Sequence, residues 1–283
     1  MTRNYLNLKS VFFVLLVLLL AAAGSERTAY ATESDSVIAK LVAESTLTKA
    51  TKAKSLRVGW ASWFPFMYRD PKSDKLTGFT VDLYENYLGP AMGVKVVWVE
   101  QPWSTMLAGL QADRFDVVAN ANRTSKRLLA ADYAGPITQT GKALLARQDG
   151  VTKYHDWQDA DNPNTKICVA LGTSADTEVT EYFKHADIMR VEGDPACIAA
   201  LAGKRADIYA TDIGNLVALE QAHPEFKIVP NSTFTKTELG VYVKQGDVVM
   251  LNWMNQFIRQ VKLSGAIDEL IKKYDLKGVK VAW

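Results

Sequence analysis

Residues 115–127 read FDVVANANRTSKR and combine a short apolar run with a polar turn and the start of a helix. The run from Asp116 to Ala119 predicts a buried β-strand, and Thr124 is placed to cap the helix that follows. The same order recurs in residues 166–174, which read KICVALGTS. Strand-to-helix units repeated along a chain are typical of parallel sheets covered by helices on both faces.

The elements around these two stretches divide into two α/β lobes. The first lobe is predicted to alternate strands and helices over Leu56–Trp60, Thr80–Leu88, Val94–Val99, Trp103–Gln111 and Asp116–Ala119. The second lobe repeats this alternation over Lys166–Leu171, Ala175–Lys184, Asp187–Val191, Pro195–Ala202 and Ala206–Thr211.

Two extended runs, Thr140–Arg147 and Leu239–Val243, predict strands that cross between the lobes. The C-terminal helices then return to the first lobe. We expect an α/β fold with two lobes, each a mostly parallel sheet flanked by helices, and a ligand cleft between them. The predicted boundaries are a helical lead-in over 32–55, the first part of lobe 1 over 56–143, lobe 2 over 144–240 and the return to lobe 1 over 241–283.

The composition excludes several classes of protein. The 283 residues carry 33 Lys+Arg against 31 Asp+Glu, a formal charge of +2, and 48% are hydrophobic. This balance is typical of a globular chain and excludes a disordered tail or a nucleic-acid-binding protein held by bulk charge. The three histidines, His155, His185 and His223, lack the spacing of a metal site. We therefore expect no metal, no cofactor and no catalytic group.

Residues 1–31 are predicted to be a secretory signal peptide. Arg3 and Lys9 precede an uncharged run over 11–23, and Ala29-Tyr30-Ala31 suits cleavage after Ala31. The apolar run is shorter than the roughly twenty residues that a membrane-spanning helix needs. An uncleaved anchor is the alternative, but the pattern favours a periplasmic protein.

The chain has two cysteines, Cys168 and Cys197. An oxidising compartment permits a disulfide between them. Spacing in the sequence does not test the geometry, so their pairing stays open at this stage.

Three polar features fall where predicted strands end. Arg127 offers two parallel donors to a carboxylate, unless it is a solvated side chain on a surface helix. The turn Gly172-Thr173-Ser174 offers backbone donors to the same anion, unless it is an ordinary turn capped by Ser174. Asp212 can neutralise an ammonium group, or it can cap a helix that begins near Ile213. Carboxylate donors combined with one acidic acceptor predict an α-amino acid as ligand.

Aromatic residues crowd the region after the first strand. Trp60, Trp63, Phe64 and Phe66 follow one another there, and Trp103 begins a helix. Core packing is the competing interpretation, above all for the two phenylalanines. Trp63 and Trp103 fall in loops near strand ends, so they are the candidates to enclose a ligand side chain, and Trp60 is included as a further candidate.

An ordered set of motifs from Leu56 to Tyr274 resembles the family 3 solute-binding proteins of polar amino-acid ABC importers. The motifs are LRVG (56–59), PF (65–66), LTGFTVDL (76–83), the Asn122–Arg127 segment, GTS (172–174) and DIYATD (207–212). The resemblance implies a type II periplasmic-binding fold that closes on an amino acid and presents it to an ABC permease in the inner membrane. We expect a monomer that does not bind nucleic acid.

The resemblance also implies roles for individual residues. It assigns the ligand carboxylate to Thr124 and Arg127, further donors to Thr173 and Ser174, the ligand ammonium to Asp212 and stacking contacts to Trp63 and Trp103.

Two departures from the family pattern affect the ligand site. Asn122 and Ser125 stand where the family usually has Ser and Pro, so contacts near Asn120 and Asn122 are expected to be rearranged. Members that bind lysine or arginine place an Asp shortly after the first-strand Gly, but here Gly59 is followed by Trp60-Ala61. A neutral ligand, apolar or aromatic, is therefore expected.

One branch of the family consists of secreted cyclohexadienyl or arogenate dehydratases, and the sequence resembles it at WSTML (103–107), HPE (223–225) and Asn252-Trp253. Those enzymes place a Glu three residues beyond the ammonium-binding Asp, where this chain has Asn215. An amide cannot protonate a departing hydroxyl group as a carboxylic acid can. A binding protein is therefore expected, with a dehydratase or a ligand-sensing module for a membrane receptor as alternatives.

Overall fold

The structure is a computed structural model that describes residues 35–283. The predicted signal peptide over 1–31 and the first residues of the lead-in lie outside the described residues. Within 35–283, no helix combines the length and apolar character that crossing a membrane requires.

Strands account for two large sheets and one short hairpin. They are β1 (Ser55–Trp60), β2 (Tyr68–Arg69), β3 (Leu76–Thr77), β4 (Lys95–Glu100), β5 (Val117–Asn122), β6 (Ala131–Thr140), β7 (Lys142–Arg147), β8 (Lys166–Ala170), β9 (Asp187–Val191), β10 (Ile208–Asp212), β11 (Phe226–Ile228), β12 (Thr237–Lys244) and β13 (Lys280–Val281).

Helices cover both sheets. They are α1 (35–44), α2 (Thr46–Ala53), α3 (Phe79–Leu83), α4 (Gly89–Met92), α5 (Met106–Gln111), α6 (Ser125–Leu128), α7 (Ser174–Tyr182), α8 (Asp194–Ala202), α9 (Ile213–Ala222), α10 (Val248–Leu263) and α11 (Ala266–Lys273). A π-helical turn, Tyr84–Leu88, joins α3 to α4, and short 3₁₀ turns lie at Trp103–Thr105, Val151–Lys153 and Gln158–Ala160.

The sheet of the first lobe has the strand order β13-β6-β12-β5-β1-β4. Strands β4, β1 and β5 are parallel, whereas β12, β6 and β13 run antiparallel to their neighbours. The sheet of the second lobe has the order β11-β7-β10-β8-β9, with β10, β8 and β9 parallel. The predicted two-lobed α/β fold is confirmed. Each sheet is more mixed than expected, because the strands next to the crossings, β6, β7 and β12, pair antiparallel with their neighbours.

Each lobe has a hydrophobic core of its own. The apolar stripe of α10 lies buried against the first sheet, as its spacing predicts: Met250, Met254, Phe257, Ile258 and Val261. In the second lobe, strands β8 and β10 are almost wholly buried, which matches their continuous apolar runs.

The chain crosses between the lobes at two places that touch each other. Strand β6 ends at Thr140 and β7 begins at Lys142, so the first crossing is Gly141. The second crossing runs over 229–236, and a Cβ atom on Gly141 would overlap the carbonyl oxygen of Thr235 in it. Thr237 already pairs with Thr140 in the first sheet. The part of the chain between the two crossings therefore runs from Lys142 to Ile228, whereas the predicted range of lobe 2 was 144–240.

Cys168 and Cys197 meet inside the second lobe. Cys168 lies on β8 and Cys197 on α8, which packs on that strand, and both side chains are fully buried. Their Sγ atoms are 2.9 Å apart as free thiols. The fold thus brings the two cysteines into contact, which the sequence alone could not show.

We expect the exported protein to oxidise this pair to a disulfide, because the thiols are in contact and an export compartment is oxidising. The protein unfolded without reductant should take up no thiol-alkylating label, and reduction should add two hydrogen atoms to its mass. The variant Cys197→Ser, purified in the same way, should be labelled at Cys168. Labelling of both cysteines in the unreduced wild type would contradict the expectation.

Candidate functional site

The cleft between the lobes is formed by the carboxyl ends of parallel strands. In the first lobe β5 ends at Asn122, and in the second lobe β10 ends at Asp212. This edge of an open α/β sheet is where ligands are expected to bind. Because two such edges face each other, groups from both lobes converge on one point.

A cavity of about 20 Å³ lies at this point. Side chains of both lobes line it: Trp63, Trp103, Asn122, Arg127, Thr173, Ser174, Ala175, Thr211 and Asp212. Such a volume holds little more than a water molecule. The structure is therefore a closed form, and a larger solute can enter only when the lobes separate.

Arg127 contributes a positive charge to the cavity wall. Its guanidinium donates to the carbonyl oxygen of Asn122 (3.1 Å) and, across the cleft, to that of Gly172 (3.3 Å). It also lies 5.5 Å from the ring centre of Trp103. Burial lowers the pKa of this guanidinium, but an arginine remains charged at neutral pH. Among the described residues, none of its partners is a carboxylate.

The opposite wall is the N-terminal end of α7. Thr173 is the N-cap, because its Oγ1 accepts a hydrogen bond from the N–H of Asp176 (3.2 Å). The capping residue is therefore Thr173 and not Ser174, the cap in the ordinary-turn interpretation. Thr173, Ser174 and Ala175 all line the cavity, and Gly172 before them accepts from Arg127, so the N-terminal end of the helix adjoins this guanidinium. Both walls favour an anion.

Asp212 sits at the N-terminal end of α9, but its carboxylate makes no capping hydrogen bond. Instead, its Oδ1 accepts from Lys142 Nζ (2.8 Å) and from Asn122 Nδ2 (3.1 Å). Lys142 is fully buried and Asp212 nearly so. The carboxylate thus joins a lysine at the first crossing to an asparagine of the first lobe.

Sequence reasoning missed Lys142. The available signal was a charged residue at the start of the apolar run KALLAR (142–147), directly after the crossing glycine. Its partner could not be read from the sequence, because Asp212 is 70 residues away along the chain. The antiparallel register of β7 and β10 sets the two residues side by side.

Two of the predicted aromatic residues reach the cavity. Trp63 stacks on Phe66 (4.2 Å between ring centroids) and meets Trp103 edge-on at 6.3 Å. Both tryptophans line the cavity, so they form an apolar corner next to Arg127.

Three predicted residues do not line the cavity. Trp60 is buried in the core of the first lobe, because its position at the end of β1 turns the ring inward. Asn120 is buried and donates to Thr80 Oγ1 (3.2 Å). Thr124 caps α6 through the N–H of Arg127 and so positions the arginine.

Asn215, at the position where the dehydratase branch has its acid, also lies outside the cavity lining. Its amide donates to the carbonyl oxygen of Phe64 and to Asp194 Oδ2 (3.5 Å). Burial raises the pKa of Asp194 to about 7, yet this acid does not line the cavity either. Within the described residues, the wall therefore presents Asp212 as its one acidic side chain.

The comparison with known proteins fits this geometry. The sequence profile of the bacterial extracellular solute-binding proteins, family 3, matches residues 56–277. The chain belongs to this family. The expected family is thus confirmed.

Relatives of this solute-binding protein include binders and an enzyme. The L-cystine-binding protein TcyJ of Escherichia coli K12 is 26% identical over 234 residues, 82% of this chain and 86% of that protein. The cyclohexadienyl dehydratase of Pseudomonas aeruginosa is 22% identical over 82% of this chain and 86% of its own length. The crystal structure of the ancestral amino acid-binding protein AncCDT-1, described as a precursor of cyclohexadienyl dehydratase, is 30% identical with a TM-score of 0.74. It covers 81% of this chain and 99% of its own.

Closure brings backbone atoms of the two lobes together at Gly172, whose φ is +76°. A Cβ atom there would lie 2.5 Å from Ser104 Cα. We expect Gly172→Ala to weaken ligand binding about tenfold or more, because the added methyl group holds the lobes apart. Calorimetric titration with the amino acid that most raises the melting temperature of the wild type measures this.

The matched control is Gly93→Ala. Gly93 also has a positive φ (+66°), but a Cβ atom on it meets nothing within 4 Å. This variant carries the backbone strain without the clash and should bind as the wild type does. Equal affinities for all three proteins would show that closure at Gly172 is not required.

Proposed function

We propose that this protein is the periplasmic receptor of an ABC importer and that it closes on a small amino acid with a neutral side chain. The observation that carries the proposal is Arg127, a guanidinium in the cleft wall whose described partners are two carbonyl oxygens and a tryptophan ring. Arg127 is half-buried and has no carboxylate among its hydrogen-bond partners, so its guanidinium can donate two hydrogen bonds to a ligand carboxylate.

The rest of the cavity suits the other parts of an amino acid. Asp212 lines the cavity and uses Oδ1 for Lys142 and Asn122, so its Oδ2 is left as the acceptor for an α-ammonium group. Trp63 and Trp103 offer an apolar surface to the side chain. A cationic side chain would need an acid of its own, and the described lining has none besides Asp212.

Binding and closure are then linked. In the separated form Arg127 and the two tryptophans hold the ligand on the first lobe. Closure adds Thr173, Ser174 and Asp212 from the second lobe, so the ligand stabilises the closed form by contacts that the open form lacks. The closed monomer is the form that an inner-membrane permease would recognise.

The dehydratase alternative has one observation in its favour, the similarity to the Pseudomonas aeruginosa enzyme. Against it stands Asn215, which occupies the position of the acid and points to the carbonyl oxygen of Phe64. We therefore propose a binding role without turnover.

A thermal-shift screen of the processed protein (32–283) tests the proposal, with all twenty amino acids, prephenate and arogenate as ligands. We expect neutral amino acids to raise the melting temperature, because a ligand that binds only the folded state stabilises it. A response to arginine or lysine alone would contradict the neutral ligand. Turnover of prephenate or arogenate would establish the enzyme instead.

The variant Arg127→Gln should weaken binding of the responding amino acid about 100-fold or more, because the ligand carboxylate loses its charge partner in a closed site. The control is Arg123→Gln, four residues away, where the arginine is exposed and paired with Glu238 at 3.1 Å. It should bind as the wild type does. An Arg127→Gln variant with unchanged affinity would remove the basis of the site assignment.

A further inference from the structure

We propose that Lys142 extends the ligand range of this site to 2-hydroxy acids, carboxylates that carry a hydroxyl group in place of the α-ammonium. The proposal rests on the proposed function, because it takes Arg127 to hold the ligand carboxylate. The proposal concerns the substituent on the α-carbon of the ligand, the group that would meet Asp212.

Lys142 neutralises the acid that an ammonium group would need. Its Nζ lies 2.8 Å from Asp212 Oδ1, and its side chain is fully buried. The contact is fixed by the backbone, because the two residues are directly opposite each other in the antiparallel register of β7 and β10. Since Lys142 itself is not exposed to the cavity, it acts on the ligand through Asp212 and does not touch it.

Around the α-substituent of the ligand, the two nearest charges cancel. Asp212 contributes one negative charge, and Lys142 behind it contributes one positive charge. Glu178, on the second turn of α7, is another acid close enough to influence Arg127. Its carboxylate accepts from Thr235 Oγ1 (2.6 Å) and is not part of the lining.

This cancellation weakens the preference for a zwitterion over a hydroxy acid. An α-ammonium group gains little net attraction from an acid that Lys142 already neutralises, whereas a hydroxyl group needs only an acceptor for its hydrogen bond. An ammonium group on Asp212 Oδ2 would also be repelled by the Lys142 ammonium across the same carboxylate. The attraction that Asp212 offers to the α-ammonium is therefore largely offset.

The hydrogen-bonding groups select a hydroxyl over a ketone. Asp212 Oδ2 is an acceptor that takes no hydrogen bond from the part of the chain that the structure describes. A 2-hydroxy group donates to it, as an ammonium group does. A 2-oxo group has no proton to donate and would place two acceptors against each other. The 2-oxo acid is thus the negative control in the same ligand series.

The test is calorimetric titration of the processed wild-type protein with three matched series. The pairs are L-alanine with L-lactate, L-leucine with (S)-2-hydroxy-4-methylpentanoate and L-phenylalanine with (S)-3-phenyllactate, each with its 2-oxo acid. In the series that binds, we expect the amino acid and the 2-hydroxy acid to agree within about tenfold, and the 2-oxo acid to bind more weakly than both. A larger preference for the amino acid overturns the proposal while leaving the proposed function intact.

The variant Lys142→Met tests whether the lysine is responsible for the binding of 2-hydroxy acids. Without the lysine, Asp212 presents its full charge, so the preference for the amino acid over the 2-hydroxy acid should rise about tenfold or more. The control is Lys262→Met, which removes another buried lysine, one that donates to the carbonyl oxygens of Pro136 (2.9 Å) and Ala282 (2.6 Å) away from the cleft. It should leave the ratio unchanged.

An unchanged ratio in a folded Lys142→Met variant also overturns the proposal. If that variant does not fold, the proposal is decided by the wild type alone, from the ratio of its affinities for the amino acid and the 2-hydroxy acid. If the thermal-shift screen selects another neutral amino acid, that amino acid and its own 2-hydroxy and 2-oxo acids form the series that decides. If no amino acid binds the wild type, the proposed function has failed, and the role of Lys142 fails with it.

Discussion

The structure depends on one positive charge held between two lobes. Arg127 lies in a short helix of the first lobe, and its guanidinium reaches the carbonyl oxygen of Gly172 in the second. Carbonyl oxygens and the ring of Trp103 only partly compensate the charge of this half-buried guanidinium. The N-terminal end of α7 lies on the opposite side, and we propose that a ligand carboxylate binds between the two. The strand ends, the capping by Thr124 and the close approach at Gly172 all serve to place this charge.

The crossing between the lobes is part of the site as well as a connection. Gly141 lets the two crossing segments touch, and the next residue, Lys142, holds Asp212 at 2.8 Å. Asn122 reaches the same carboxylate oxygen from the first lobe. Asp212 is therefore hydrogen-bonded both to the first lobe and to the residue that follows the crossing. In our proposal, Lys142 sets the charge that Asp212 presents to the ligand without touching the ligand.

Most of the fold could be predicted from hydrophobic patterns, because β1 alternates apolar residues with others and β8 is a nearly continuous apolar run, each bounded by turns. Strand β6 could not, since Gly135-Pro136 interrupts it and both residues normally break a strand. Arg127, Thr173 and Asp212 could be placed because they follow strand ends. The sequence could not show whether Trp60 is a core residue or a ligand-binding residue, because this depends on the direction in which its side chain points. Lys142 was missed because its partner is defined only by the register of two strands far apart in the chain.

The most direct measurement is a crystal structure of the processed protein with the neutral amino acid that stabilises it most. The account predicts a ligand enclosed between the lobes, with its carboxylate hydrogen-bonded to the guanidinium of Arg127 and its α-substituent facing Asp212. A ligand bound outside the cleft, or one whose carboxylate makes no contact with Arg127, would contradict it.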